Sequence, residues 1–139
     1  MLSVVAGVSL VYDLAAGLLL LFATDSLASW FGAPLPNPVL FAKLDGLFLI
    51  AVGLGYLQPL FRPEAHRAYL WVFGVLLKGA GAIVITVDHF VHASPMSFLL
   101  FAVSDGFLAV WTLAALLRKD APALPSNART TGKPGSLPG

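Results

Sequence analysis

Long apolar stretches, broken only by isolated polar residues, fill most of the chain before its C-terminal tail. Four of them are long enough to cross a bilayer: Leu2 to Ala23, Pro38 to Leu57, Ala68 to Val87 and Met96 to Leu117. A hydrocarbon core about 30 Å thick needs roughly 20 helical residues at a rise of about 1.5 Å each. Every backbone group must be hydrogen-bonded inside lipid, and four isolated strands cannot close a barrel. The pattern therefore predicts four transmembrane α-helices.

A short motif occurs in both even-numbered spans. The second span contains "LFAKLDG" with Asp45, and the fourth contains "LFAVSDG" with Asp105, so the Phe, Ala, Asp and Gly positions coincide. In the odd-numbered spans the best match pairs Gly17 with Gly81, and small residues of this kind allow close packing of helices in lipid. The predicted fold class is an all-α membrane protein, a four-transmembrane-helix bundle built from two parallel helical-hairpin repeats.

Basic residues in the short loops predict the orientation of the bundle. They occur only after the second and fourth spans, at Arg62, Arg67, Arg118 and Lys119. Because cytoplasmic loops are rich in Lys and Arg, both termini are expected in the cytoplasm. Tyr56 and Tyr69 are expected at the inner membrane interface, and Trp30 with Phe31 in an outer loop, since aromatic residues favour those depths.

Domain organisation follows from the same pattern. Residues 1–117 are expected to form the transmembrane domain, with the first span retained, because it lacks a basic leader and carries Asp13 in its middle. Residues 118–139 are rich in Pro, Gly, Ser and Thr without periodicity, which predicts a disordered cytoplasmic tail.

Composition excludes several classes of function. Hydrophobic residues make up 58% of the chain and charged residues 11%, whereas soluble chains are roughly 25% charged. The net charge of +1 and the lack of a basic cluster argue against a nucleic-acid partner. With no cysteine there is no thiol nucleophile, disulfide or cysteine-based zinc site. The expected partners are a lipid bilayer and either further copies of this chain or other membrane-protein subunits.

Charged residues inside the spans are the strongest candidates for a site. Asp13, Lys78 and Asp105 are predicted near the membrane midplane, where each ionisable group costs about 2.5–3.5 kcal/mol to insert. Asp45 and Asp105 are expected to approach each other near Lys78, while Lys43 lies close enough to a span end to reach the headgroups. Asp13, Asp45, Lys78 and Asp105 together predict either a ligand or proton site or a polar clamp that fixes helix packing.

Two histidines follow the third span in the stretch "DHFVH", where Asp88 and His92 lie one helical turn apart. His89 and His92 are weak candidates for a metal or haem site, and the alternative is that they are ordinary polar residues at the membrane interface. Two imidazoles alone do not define a metal centre. No metal, cofactor or catalytic residue set is therefore predicted.

The four short spans and the repeated "LFAxxDG" resemble the small bacterial DoxX-like membrane proteins. The resemblance is one of architecture, covers Leu2 to Leu117, and carries over no residue roles. It implies a four-helix bundle in the bacterial inner membrane, and some members of that group associate with quinone-linked respiratory assemblies.

Three functions remain open at this point. Because short loops leave little room for a catalytic head, the favoured expectation is a non-enzymatic accessory or scaffold subunit of a membrane assembly. A small transporter or proton-conducting bundle, acting as a homo-oligomer, is the alternative that the buried carboxylates support. A quinone- or haem-binding redox subunit is the second alternative.

Overall fold

A computed structural model of the protein describes residues 1–119. Helices joined by short connections make up this part of the chain, which contains no strand. Four helical stretches are long and apolar enough to cross a membrane, and we call them the first to fourth long helices: Leu2–Phe22, Leu40–Phe61, Arg67–His92 and Met96–Arg118. The all-helical fold class with four such helices is thereby confirmed. The tail predicted to be disordered, residues 118–139, lies outside the described residues from residue 120 onward.

The second long helix extends beyond the predicted end at Leu57. It consists of Leu40–Gly55, a turn at Tyr56 and a short helix, Leu57–Phe61. Pro59 is tolerated because it lies in the first turn of that short helix, where backbone N–H groups lack a partner within the helix. The continuous apolar stretch in the sequence ends before Gln58 and Pro59, whereas the helical structure continues past them to Phe61.

The third long helix changes its winding just before Lys78. An α-helical turn, Arg67–Tyr69, leads into a π-helical segment, Leu70–Leu77, and then into an α-helix, Lys78–His92. Wide turns of this kind occur mostly as short insertions and are frequent at functional sites. The fourth long helix begins with a 3₁₀ turn, Met96–Phe98, and continues as the α-helix Leu99–Lys119.

The connection after the first long helix was expected to be a loop, and this prediction is wrong. Thr24–Phe31 forms an eight-residue α-helix, which we call the connecting helix. The negative charge of Asp25, in the first turn, stabilises the positive end of the helix dipole. Gly32 adopts the left-handed conformation, with φ of 61°, and ends the helix. Its Phe31 ring stacks on the Phe101 ring of the fourth long helix, with centroids 5.0 Å apart. The connecting helix is thereby attached to the body of the protein.

The first and second long helices touch through their backbones. A Cβ atom placed on Gly46 would lie 2.7 Å from the carbonyl oxygen of Gly17, so neither position has room for a side chain. The third and fourth long helices also pair, but more loosely. A Cβ atom placed on Gly106 would lie 3.6 Å from the Cβ atom of Ala82, an ordinary contact distance.

The buried core lies at the end of the bundle where the second and third long helices are joined. Tyr56 is fully buried there, and its ring meets the ring of Tyr69 edge to face at 5.1 Å. The Tyr69 hydroxyl donates a hydrogen bond of 2.5 Å to the carbonyl of Val52. The ring of Tyr56 therefore belongs to the buried core, and the placement of both tyrosines at the membrane interface stays a prediction.

We expect Gly46→Ala to lower the melting temperature in detergent by several degrees. Alanine normally favours a helix over glycine, but here its methyl group meets a backbone oxygen that cannot move aside, and overpacking of this kind costs about 1–3 kcal/mol. Gly106→Ala, at the matching position of the fourth long helix, is the control and should melt at or slightly above the parent temperature. Equal melting of the two variants would contradict the close backbone contact.

Candidate functional site

The site is built around the ammonium group of Lys78. This side chain is 5% exposed, and its Nζ lies 2.5 Å from Oδ1 of Asp13, which is 1% exposed. The pair joins the first and third long helices. Two charges taken out of water need each other and further hydrogen bonds to offset their desolvation, so this contact must persist in the folded protein.

Two further groups complete the surroundings of the ammonium. Oδ1 of Asp105 lies 3.4 Å from Nζ of Lys78, and the ring of Tyr12 has its centroid 4.7 Å from the same nitrogen. The Tyr12 hydroxyl is hydrogen-bonded to Oγ of Ser104 at 2.7 Å, which holds the ring in place. The ammonium is therefore stabilised by two carboxylates and by the face of an aromatic ring.

Local packing explains why Asp13 points into the bundle. Ser9, Asp13 and Gly17 follow one another at four-residue intervals, and all three are buried on one face of the first long helix. The backbone contact of Gly17 with Gly46 fixes the rotation of this helix. Asp13, one turn away, is consequently directed at the third long helix.

A cavity of about 590 Å³ borders this charge cluster. All four long helices contribute to its wall, and so does the connecting helix, through Leu27, Trp30 and Phe31. The second long helix packs chiefly against the first and makes few contacts with the α-helical part of the third, which leaves the space between them. The result is a largely apolar chamber with charged groups on one wall.

Asp45 lines the same cavity but does not join the cluster. Lys78 forms ion pairs with Asp13 and Asp105, and within residues 1–119 no ion pair of Asp45 is found. The expectation that Asp45 approaches Lys78 is therefore wrong. Gly46 is turned toward the first long helix, and the preceding residue is rotated from it by about 100°. Asp45 thus remains exposed, on the second long helix.

The two candidate metal-binding histidines lie elsewhere. Nδ1 of His89 is 2.7 Å from the carbonyl oxygen of Ser94, and Nδ1 of His92 is 2.8 Å from Oδ1 of Asp88. The Ser94 hydroxyl also donates to the Asp88 carboxylate. These contacts form a local network at the end of the third long helix, apart from the cavity lining. No group of three or more His, Asp or Glu side chains suited to a metal occurs in the described part.

Sequence reasoning did not identify two polar residues beside the site. Ser9 Oγ, the Tyr56 hydroxyl and Oδ2 of Asp13 are buried, and none of the three has a hydrogen-bond partner in the described structure. Ser9 could have been identified from the sequence, because it lies one helical turn before Asp13. No sequence signal indicated Tyr56, because its burial depends on contacts with another helix. Asp13 therefore presents one paired and one unpaired oxygen.

No protein-family model matches the chain, and neither does any curated protein or solved structure. The resemblance to DoxX-like proteins stays a prediction. A fold alone does not define a function, which depends here on the geometry of the charge cluster and its cavity.

We expect Lys78→Met to be the most destabilising single substitution in the site. It leaves the buried Asp13 carboxylate without a counter-ion, and breaking a buried pair from one side costs about 3–5 kcal/mol. The double variant Asp13→Asn with Lys78→Met should recover part of the lost thermal stability in detergent, because the more deeply buried pair is then uncharged and only Asp105, which is 21% exposed, has lost its cation. Lys43→Met, which removes an exposed lysine, is the control and should melt like the parent. A double variant that is less stable than Lys78→Met would refute the pairing argument.

Proposed function

We propose that the protein is a small integral membrane protein that binds a lipophilic molecule between its long helices and acts as a transporter. One observation carries the proposal, namely that the buried cluster of Lys78, Asp13 and Asp105 borders a largely apolar cavity of about 590 Å³. Ligand pockets typically measure about 300–1,000 Å³ and combine apolar walls with a few polar groups. Ionisable residues inside membrane helices commonly mark substrate pathways.

A purely structural clamp accounts for less of the geometry. A clamp needs only the paired charges, which here are Lys78 with Asp13 and Asp105. It gives no reason for the exposed Asp45 to face the cavity without an ion pair. A ligand site accounts for this, because the Asp45 carboxylate is then available to a bound molecule.

The repeated motif supports the same function. The contact of Gly17 with Gly46 in the first pair of helices corresponds to that of Ala82 with Gly106 in the second pair. The contacts thus match Gly17 with Ala82, one residue after the Gly81 that the sequence comparison paired with it. With this alignment Asp13 and Lys78 each lie four residues before the contact and occupy matching positions. We infer that two parallel hairpin repeats meet at this ion pair. Transporters built from repeats bind their substrates near the midplane, where the repeats meet.

The proposed placement puts both termini on the cytoplasmic side of a bacterial inner membrane. Arg62, Arg67 and Arg118 lie at one end of the long helices, and Trp30 lies on the connecting helix at the other end. An excess of basic residues on the cytoplasmic side favours this orientation.

A second candidate is the accessory subunit expected from the sequence. The connections 62–66 and 93–95 are short, and within residues 1–119 no further domain extends from the helices. The mass of the intact assembly in mild detergent distinguishes the two candidates. A few copies of this chain alone would favour the transporter, and a co-purifying complex would favour the accessory subunit.

The orientation leads to a labelling experiment. The chain has no cysteine of its own, so single cysteines can be introduced at Ser29, on the connecting helix, and at Ala65, in the basic connection. In intact cells we expect an impermeant thiol reagent to modify the cysteine replacing Ser29. The cysteine replacing Ala65 should react only after permeabilisation, and its modification in intact cells would reverse the orientation.

Filling the cavity should abolish binding. A Cβ atom on Gly81 has space, its nearest neighbour being Oδ2 of Asp105 at 3.7 Å, so Gly81→Leu extends a side chain into the cavity. We expect this variant to bind the neutral dye Nile red at least tenfold more weakly than the parent, measured by fluorescence in detergent. Proteoliposomes should also take up cationic rhodamine 6G or anionic anilinonaphthalene sulfonate faster with the parent than with Gly81→Leu.

Ala80→Leu is the matched control for this experiment. Ala80 precedes Gly81 on the same helix, is exposed and does not line the cavity, so binding and uptake should equal those of the parent. If Gly81→Leu behaves like Ala80→Leu in both measurements, the cavity is not a ligand site and the transporter proposal fails.

A further inference from the structure

We propose that the cavity is selective for a lipophilic organic cation, such as an ammonium or phosphonium group carrying apolar substituents. This inference rests on the proposed function and names the class of molecule that the same site would bind. It depends on three features of the cavity, namely its charge, its unpaired oxygens and its aromatic walls.

Negative groups outnumber positive ones on the cavity wall. Asp13, Asp45 and Asp105 line it together with Lys78, and no other lysine or arginine does so in the described part of the chain. The Lys78 ammonium already contacts two of these carboxylates. An anion entering the cavity would lose its hydration without gaining a free positive partner, whereas a cation would be attracted to the excess carboxylate.

Two of the carboxylates still have unused oxygens. Asp13 is 1% exposed, lines the cavity, and its Oδ2 has no hydrogen-bond partner in the described structure. Asp45 has no ion pair within residues 1–119, although it faces the same space. Carboxylate oxygens accept hydrogen bonds and attract positive charge. Asp45 can therefore contact a positively charged occupant directly, whereas Asp13, whose Oδ2 is buried, attracts it by its charge from behind the cavity wall.

Aromatic side chains form much of the remaining wall. They come from all four long helices and from the connecting helix: Tyr12, Trp30, Phe31, Phe48, Phe73 and Phe101. Aromatic faces attract cations, and the protein's own Lys78 ammonium already lies over the Tyr12 ring with 4.7 Å to its centroid. The walls therefore provide contact for apolar substituents and stabilisation for a positive charge.

The size of the cavity separates an organic cation from a metal ion. A volume of about 590 Å³ is far larger than a bare ion needs, and most of the lining is apolar. Divalent metal ions require several oxygen or nitrogen ligands around one point, and no suitable group of three is found among the described residues. The charge, the walls and the volume together indicate an organic cation.

The inference can be tested with two ions of matched shape and opposite charge, tetraphenylphosphonium and tetraphenylborate. Binding to the full-length protein in detergent is measured by calorimetry, with Gly81→Leu protein in the same detergent as the baseline for partitioning. We expect tetraphenylphosphonium to bind at least tenfold more tightly than tetraphenylborate. Asp45→Asn should weaken tetraphenylphosphonium at least fivefold and leave tetraphenylborate and the melting temperature unchanged.

Asp25→Asn provides the control for the charge change. Asp25 is exposed on the connecting helix and does not line the cavity, so its substitution should leave the affinity for both ions unaltered. Equal affinity for the two ions, or equal effects of Asp45→Asn and Asp25→Asn, would overturn the inference.

Nile red separates this inference from the function on which it rests. If Nile red binds and is lost in Gly81→Leu while the cation is not preferred, the ligand site stands and its selectivity for cations is wrong. If neither ion nor Nile red binds above the Gly81→Leu baseline, the proposed function fails and the inference fails with it.

Discussion

The ion pair between Lys78 and Asp13 is the interaction on which the rest of the structure depends. In lipid, apolar side chains gain little by leaving the bilayer for one another, so helices associate through close packing and polar contacts. This pair joins the first and third long helices, and Asp105 adds the fourth. The cost of leaving either charge alone in a low-dielectric interior makes separation of the helices unfavourable. The charges thus couple two pairs of helices that otherwise pack mainly within themselves.

Close packing at one place creates open space at another. The backbone contact of Gly17 with Gly46 draws the second long helix against the first and away from the α-helical part of the third. At the opposite end, Tyr69 bonds to Val52 and brings the second and third long helices together again. The cavity lies where these two constraints leave the helices apart. Its shape is therefore a consequence of a few specific contacts, rather than of loose packing throughout.

Features that depend on one helix alone could be predicted from the sequence. The four long helices follow from the length of apolar stretches, and the burial of Asp13 and Lys78 follows from their positions within them. Features that depend on two helices could not. The direction of Asp45 depends on which side of Gly46 meets the first long helix, and the burial of Tyr56 depends on Tyr69.

The connecting helix is another feature that could not be predicted from the sequence. Its ends carry local signals, Asp25 in the first turn and Gly32 at the end, but the segment is too short to be distinguished from a loop by apolar periodicity. Its position against the fourth long helix depends on the stacking of Phe31 on Phe101.

That position also bears on how a molecule reaches the cavity. The connecting helix covers one end with Leu27, Trp30 and Phe31, and the hydrogen bond from Tyr69 to Val52 joins the second and third long helices toward the other end. The exposed Phe48 and Asp45 border the side between these two helices. In the proposed membrane placement this side would face the acyl chains. A ligand would then arrive from the lipid phase, so its rate of entry would follow its concentration in the membrane. Because a hydrophobic compound is concentrated there by partitioning, it would half-fill the site at an aqueous concentration far below the dissociation constant expressed as a membrane concentration.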